Sequence, residues 1–467
     1  MLTPPQTLVP AREDNSWSAH IRATLALGIP LIGAQLAQLG IHTTDVMIVG
    51  RLGTEQLAAI VLAGQFYFTL FIFGSGFSIA VVPMVAQALG RGDAVTIRRS
   101  LRMGMWVAIA YSLLTIPAFL NAERILIAAG QAPAVAALAG DYVAIAQFSL
   151  LPALLFVVLR ALVSAIGKAS IILYVTIATL VLNAIFAYAL VLGHLGLPAM
   201  GLNGAAIVSV VVQTAGFLFI VAFIQAREET RKYELFVRFW RPDWRALWEV
   251  LQLGAPISIT VLAETSLFTG AALLMGSIGT VELAAHRIAM QLTSIAFMIP
   301  LGLSQAATDR VGIAHGRNDF SNLVRASITV IVISSMISLT GGILFALMPR
   351  TLSSLFIDVN APGAAELLTI AGHFVIVAGA FQLVDGLQAI VAGLLRGLKD
   401  ARVPMILALI SYWPIGFFFA WLLAFPLGLG GIGIWLGFLV GLAAASLFLS
   451  IRFYTLVKRE MRLARYY

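Results

Sequence analysis

The sequence contains no cysteine, which excludes disulfides, thiolate metal centres and thiol nucleophiles. It is also short of charge. Asp, Glu, Lys and Arg make up 11% of its 467 residues, less than half of the quarter or so usual in soluble domains. No G-x-x-x-x-G-K-[ST] stretch occurs, so the chain lacks the phosphate-cradling loop that ATP hydrolysis would use. There is no H-E-x-x-H motif and no paired histidines, so it reads as a protein without enzymatic chemistry and without a bound cofactor. Residues Met1–Asn15 mix prolines with charges of both signs. They lack the short apolar core and small-residue cleavage site of a secretory leader.

What is present is apolar: 60% of the residues are hydrophobic. A helix needs about 20 apolar residues to cross the hydrocarbon core, whereas a membrane β-barrel shows only short, weakly alternating segments. The runs here are long and unbroken, at 24–48, 57–88, 103–121, 134–165, 170–192, 202–225, 252–276, 283–308, 325–347, 365–394, 404–425 and 432–456. They predict an all-α integral membrane protein with twelve transmembrane helices.

The net charge of +8 does not point to nucleic acid as a partner, because basic residues in a membrane protein first report orientation. With a cytoplasmic N-terminus, only Arg51, Arg124, Arg287 and Arg350 of the 29 basic residues fall outside. The C-terminal group Lys458, Arg459, Arg462 and Arg465 then lies inside. The expectation is a multi-pass inner-membrane protein with both termini cytoplasmic, its nearest partners being membrane lipids.

A shift of 226 residues lays the start of one half on the other without a gap. Gly28 and Pro30 meet Gly254 and Pro256; Gly50, Gly53 and Thr54 meet Gly276, Gly279 and Thr280; Gly90, Arg91, Asp93 and Arg99 meet Gly316, Arg317, Asp319 and Arg325. Six spans per repeat make the halves parallel, with a substrate site expected between them near the midplane. The expected lobes are 1–225 and 251–467. A cytoplasmic connector at 226–250, rich in Arg227, Arg231, Lys232, Arg238, Arg241 and Arg245, joins them.

Three acids lie in apolar surroundings: Asp45, Glu264 and Asp385. A carboxylate at the bilayer centre costs about 2.5–3.5 kcal/mol on insertion scales, and such residues mark ion pathways. The repeat is asymmetric here, since Gln38 is the counterpart of Glu264 and Ala271 that of Asp45. Gln38 and Asp45 lie two helical turns apart on nearly one face. Thr265, Gln291, Gln382 and Gln388 are candidate oxygen ligands around Glu264 and Asp385, and Asn183 is placed to reach Asp45. For each one singly, a hydrogen bond between helices is the simpler explanation. Aromatic residues including Phe66, Phe297, Phe381 and Tyr412 would suit an organic cation, or would pack helices and meet lipid. Gly433, Gly437 and Gly441 form a ladder for close helix packing.

Gly28-Ile-Pro-Leu-Ile followed by Asp45-Val-Met-Ile-Val-Gly-Arg-Leu-Gly resembles the opening of the multidrug and toxic compound extrusion (MATE) transporters. Leu283-Ala-Ala-His286, Pro300-Leu-Gly-Leu-Ser-Gln305 and Gly393-Leu-Leu-Arg-Gly-Leu-Lys-Asp400 extend the resemblance over about residues 20–460, closest to the NorM-like branch. It implies a V-shaped MATE/MOP-type fold of two six-helix bundles, a monomer that exports lipophilic, often cationic compounds in exchange for Na⁺ or H⁺. It further implies that Glu264, Asp385 and Asp45 bind the coupling ion, with Na⁺ at Glu264 and Asp385 and Phe297 lining the site. The chain departs from the pattern at Gln291, where Asn is usual, at Phe381, where a relative has Tyr, and at Arg287, where Gln is common. Ala187 stands where the archaeal branch has an acid. The alternative within the superfamily is a flippase of lipid-linked saccharides, whose anionic cargo would call for basic residues in the cavity.

Overall fold

Long apolar runs in lipid leave the backbone no water to bond, so each run closes its hydrogen bonds within itself as a helix. The structure, a computed structural model, describes residues 16–463; the segment 1–15 and Arg465 lie outside the described residues. Among the described residues there are twelve helices long and apolar enough to cross a membrane. They are α1 Trp17–Leu52, α2 Thr54–Arg91, α3 Ala94–Leu120, α4 Pro133–Ala165, α5 Ala169–Leu192, α6 Gly201–Ala226, α7 Trp244–Ile278, α8 Thr280–Gly316, α9 Phe320–Leu347, α10 Ala364–Gly397, α11 Arg402–Ala424 and α12 Gly430–Leu463. The chain is a multi-pass, all-α membrane protein. Most helices outrun the apolar stretches read from sequence: α1 begins at Trp17 rather than near residue 24, and α7 at Trp244 rather than 252. Their end turns are amphipathic and need no hydrocarbon to remain helical.

The repeat persists into local detail. Asp93 accepts from the Thr96 backbone N–H at 3.0 Å to cap α3. Its counterpart Asp319 accepts from the Asn322 N–H at 3.1 Å to cap α9. The cap φ/ψ angles are −92°/85° and −95°/79°. Burial pushes the Asp93 carboxyl up, but hydrogen bonds from the Thr96 hydroxyl and amide, with Arg91 nearby, outweigh it and hold the group below the usual aspartate value. Asp93→Ala is therefore expected to cost about 1 kcal/mol. A depressed pKa contributes stability above the ordinary aspartate range and loses it as pH falls through the lowered value. Thermal unfolding in detergent should show a gap between wild type and variant at neutral pH that closes in strong acid.

Packing divides the described chain into two compact units, residues 33–258 and residues 16–32 with 259–463. Polarity alone places the lobe boundaries in the connector, at 225 and 251. The packing boundaries fall instead inside two helices, after Ile32 in α1 and after Ser258 in α7, and these positions are one repeat apart. Glycines explain why. In the first unit, a Cβ on Gly76 of α2 would stand 2.6 Å from the Ser258 Cα, and one on Gly254 would stand 2.7 Å from the Phe77 Cα. In the second unit, a Cβ on Gly302 of α8 would stand 2.6 Å from the Ile32 nitrogen, and one on Gly28 would stand 2.7 Å from the Leu303 side chain. Gly76 and Gly302, like Gly254 and Gly28, are repeat partners. The first part of α7 thus packs backbone to backbone in the first unit, and the first part of α1 does so in the second.

The second unit carries two further devices. The Gly433, Gly437 and Gly441 ladder of α12 faces Ala424, Ala420 and Gly416 of α11 at backbone contact. Within α11 the helix widens into a π-helical stretch over Ser411–Phe417 around Pro414, where the missing N–H of proline breaks the regular bonding.

Candidate functional site

Polar side chains in these spans must find partners, because lipid supplies none. In the first unit, Asp45 of α1 and Asn183 of α5 are buried. The Asn183 amide nitrogen donates to Asp45 Oδ1 at 2.8 Å. The other end of that amide, Asn183 Oδ1, has no hydrogen-bond partner among the described residues. Tyr142, also buried, lies within electrostatic reach of Asp45 and shares its hydroxyl with Ser209 Oγ at 3.4 Å. Gln38, two turns below Asp45, is exposed.

In the second unit, α7 brings Glu264 and α10 brings Asp385 close enough to feel each other's charge. Asp385 is buried; Glu264 is half-buried. Gln382, Asp385 and Gln388 follow one another at single-turn spacing on α10, and all three are buried. Gln388 Nε2 donates to the hydroxyl of Tyr412, which the π-helical stretch of α11 presents from a fully buried position. Asp385 Oδ1 and Gln388 Oε1 have no hydrogen-bond partner among the described residues. Such orphaned buried oxygens are rare and call for an explanation. Arg396 stands eleven residues, three turns, beyond Asp385 on the same face of α10. It donates to Ser304 Oγ at 2.9 Å and acts electrostatically on Glu264. Ser304 and Thr308 of α8 bond the Ala389 and Gly393 carbonyls at 2.6 and 2.9 Å. These contacts zip α8 to α10 and fix the helix that carries Asp385.

The remaining sequence candidates are placed differently. The Thr265 hydroxyl is spent on its own helix, donating to the Val261 carbonyl at 2.8 Å. The Gln382 amide reaches the Ser338 carbonyl at 3.5 Å. Gln291 is exposed and Phe297 half-buried. Phe381 is fully buried, edge-on to Phe268 and Trp435 at 6.2 and 5.6 Å, so it packs the core of its unit. Among the described residues no three His, Cys, Asp or Glu side chains converge as a multidentate metal site would require.

Sequence reading missed Arg396, whose neighbours Lys399, Asp400 and Arg402 give the stretch the look of a loop. Its three-turn spacing from Asp385 was the available signal. The hydroxyl role of Tyr412 has no sequence signature, since it depends on the π-helical register.

A family model, MatE, matches residues 30–189 and 256–422. The chain is 68% identical over 452 residues to a probable multidrug resistance protein NorM of Agrobacterium fabrum, with 97% of each chain covered. It is 58% identical over 459 residues to the protein of the same name from Rhizobium meliloti, with 98% of each covered. Among solved structures, the eukaryotic MATE transporter AtDTX14 aligns with a TM-score of 0.84 at 21% identity, over 97% of this chain and 99% of that one. A MATE in complex with MaL6 aligns with a TM-score of 0.85 at 19% identity, over 95% and 97%. At these identities the solved structures show a common fold.

Proposed function

This chain belongs to the MatE family, and from that premise we propose that it is a secondary-active multidrug efflux antiporter, exporting lipophilic and cationic compounds in exchange for Na⁺ or H⁺. The observation that carries the reading is that each unit holds a buried carboxylate and a buried amide whose oxygen has no donor among the described residues: Asp45 and Asn183, hydrogen-bonded between helices at 2.8 Å, and Asp385 and Gln388, about one turn apart on α10. Two carboxylates that feel each other's charge, as Glu264 and Asp385 do, favour capture of a cation. The free oxygens complete its shell. Ion binding or protonation neutralises the site and weakens its hold on a cationic drug; release of the ion restores it. That reciprocal relation is what antiport requires. The basic-residue asymmetry supports an inner-membrane location with both ends cytoplasmic, and a single chain carries both units.

Cells that express the protein are expected to accumulate less of a fluorescent organic cation than vector controls. Ionophores that collapse the Na⁺ and proton gradients should erase the difference. Accumulation that stays low after both gradients are collapsed would remove the antiport reading.

A further inference from the structure

The sequence marks the stretch between α6 and α7 as a charged cytoplasmic connector, and the structure packs it against the first unit as a platform. Tyr233 and Leu235 are buried in the first unit, 2% exposed each. The Trp106 indole N–H of α3 donates to the Phe239 carbonyl at 3.0 Å, and Arg102 donates to the Val237 carbonyl. Arg238 sits in the left-handed region at φ 55°, uncommon for a residue with a side chain and maintained only where the surroundings impose it. Asp243 caps α7 by accepting from the Ala246 N–H at 3.1 Å.

The charge distribution on this platform is uneven. Three of its acids are engaged by basic residues of α3 and of the turn before α5: Glu234 by Arg98 at 3.0 Å, Asp243 by Arg99 at 3.0 Å and Glu229 by Lys168 at 3.8 Å. Arg238, Arg241 and Arg245 are exposed and have no carboxylate partner among the described residues. Beside them stand Trp240, Trp244 and Trp248, 72%, 70% and 61% exposed. The tryptophans recur every four residues and the last two arginines follow the same spacing one position on. From Trp244 onward this is helix, so Trp244 and Trp248 share one face with Arg245 beside them, while Arg238, Trp240 and Arg241 lie in the non-helical segment that leads into it. Indoles prefer the interface between headgroups and acyl chains, and juxtamembrane arginine clusters attract anionic lipid. Arginine also binds phosphate through two N–H groups at once.

We propose that the α6–α7 connector is a binding surface for anionic phospholipid headgroups of the leaflet beside it, with Arg238, Arg241 and Arg245 taking the phosphates and the three tryptophans seated at the interface. The surface lies at the start of α7, the helix that carries Glu264. It rests on the membrane-spanning architecture and not on the antiport reading.

The test uses the full-length protein in a neutral detergent, titrated with brominated phosphatidylglycerol or brominated phosphatidylcholine, whose bromines quench nearby tryptophan fluorescence. The anionic lipid is expected to quench at a much lower mole fraction, with the difference disappearing at high salt. Each arginine near the surface contributes a factor of about five (about 1 kcal/mol). The Arg238→Gln/Arg241→Gln/Arg245→Gln variant should therefore lose about 100-fold of the preference, with its tryptophans intact. Should that variant fail to fold, Arg241→Gln alone carries a loss of about fivefold. Equal quenching of the wild type by both lipids, or a preference that survives the arginine substitutions, overturns the proposal. No transport is read in this experiment, so failure of the antiport reading would leave the outcome unaffected.

Discussion

Replacing Asp385 with asparagine is expected to reduce drug efflux to the vector baseline while membrane expression and thermal stability stay near wild type. Asparagine keeps the size of the side chain and one oxygen. It removes the charge that holds a cation and the site that accepts a proton. Little structure is lost with the charge, because Asp385 Oδ1 accepts no hydrogen bond among the described residues. A group that anchored a helix pair would behave differently, since removing one partner of a buried hydrogen bond costs about 1–3 kcal/mol. Resistance assays and fluorescent-cation efflux, run beside a membrane blot and a melting curve, separate the two roles. Full efflux in the variant would remove Asp385 from the coupling site, and loss of the folded protein would make it structural.

The second large effect concerns the glycines at which α1 and α7 pack. Gly76→Ala and Gly302→Ala each drive a methyl group to within 2.6 Å of a neighbouring backbone, at Ser258 and at Ile32. Backbone cannot swing aside as a side-chain tip can, so each substitution should cost about 1–3 kcal/mol through overpacking. Reduced yield and a lowered melting temperature are the readouts. The repeat supplies its own control in Gly50 and Gly276, whose added Cβ atoms meet only leucine side chains at 3.6 and 3.8 Å. Alanine there should be neutral within about 0.5 kcal/mol. Similar melting temperatures for all four variants would contradict the packing account.

The spans were legible because hydrophobicity over twenty residues is a strong signal, and the repeat was legible because its glycines, prolines and loop residues recur at one fixed shift. The Asp45–Asn183 contact was legible for a related reason: a carboxylate and an amide in apolar runs have few other partners to choose. The exchange of α1 and α7 between units was not read, although Gly76 and Gly302 stand in the sequence one repeat apart. A glycine announces that something comes close, not which helix does. Arg396 was hidden by the charged residues that follow it, and Tyr412 by a local change of helical register around Pro414. The contacts of the connector were not legible, because its composition shows only charge. Its rigidity comes from carbonyls at 237 and 239 and from the buried Tyr233 and Leu235, a set no charge pattern displays. Of Gln291 and Thr265, offered as oxygen ligands around Glu264 and Asp385, the first is exposed and the second bonds its own helix.

The central claim is that an ion gradient, acting on these carboxylates, drives export. Its most direct test is transport of a fluorescent organic cation in proteoliposomes that hold the purified protein, under an imposed Na⁺ gradient and then an imposed pH gradient. The account predicts transport driven by at least one of the two gradients and absent for Asp385→Asn. Transport that is indifferent to both gradients, or that persists undiminished in the variant, would contradict it.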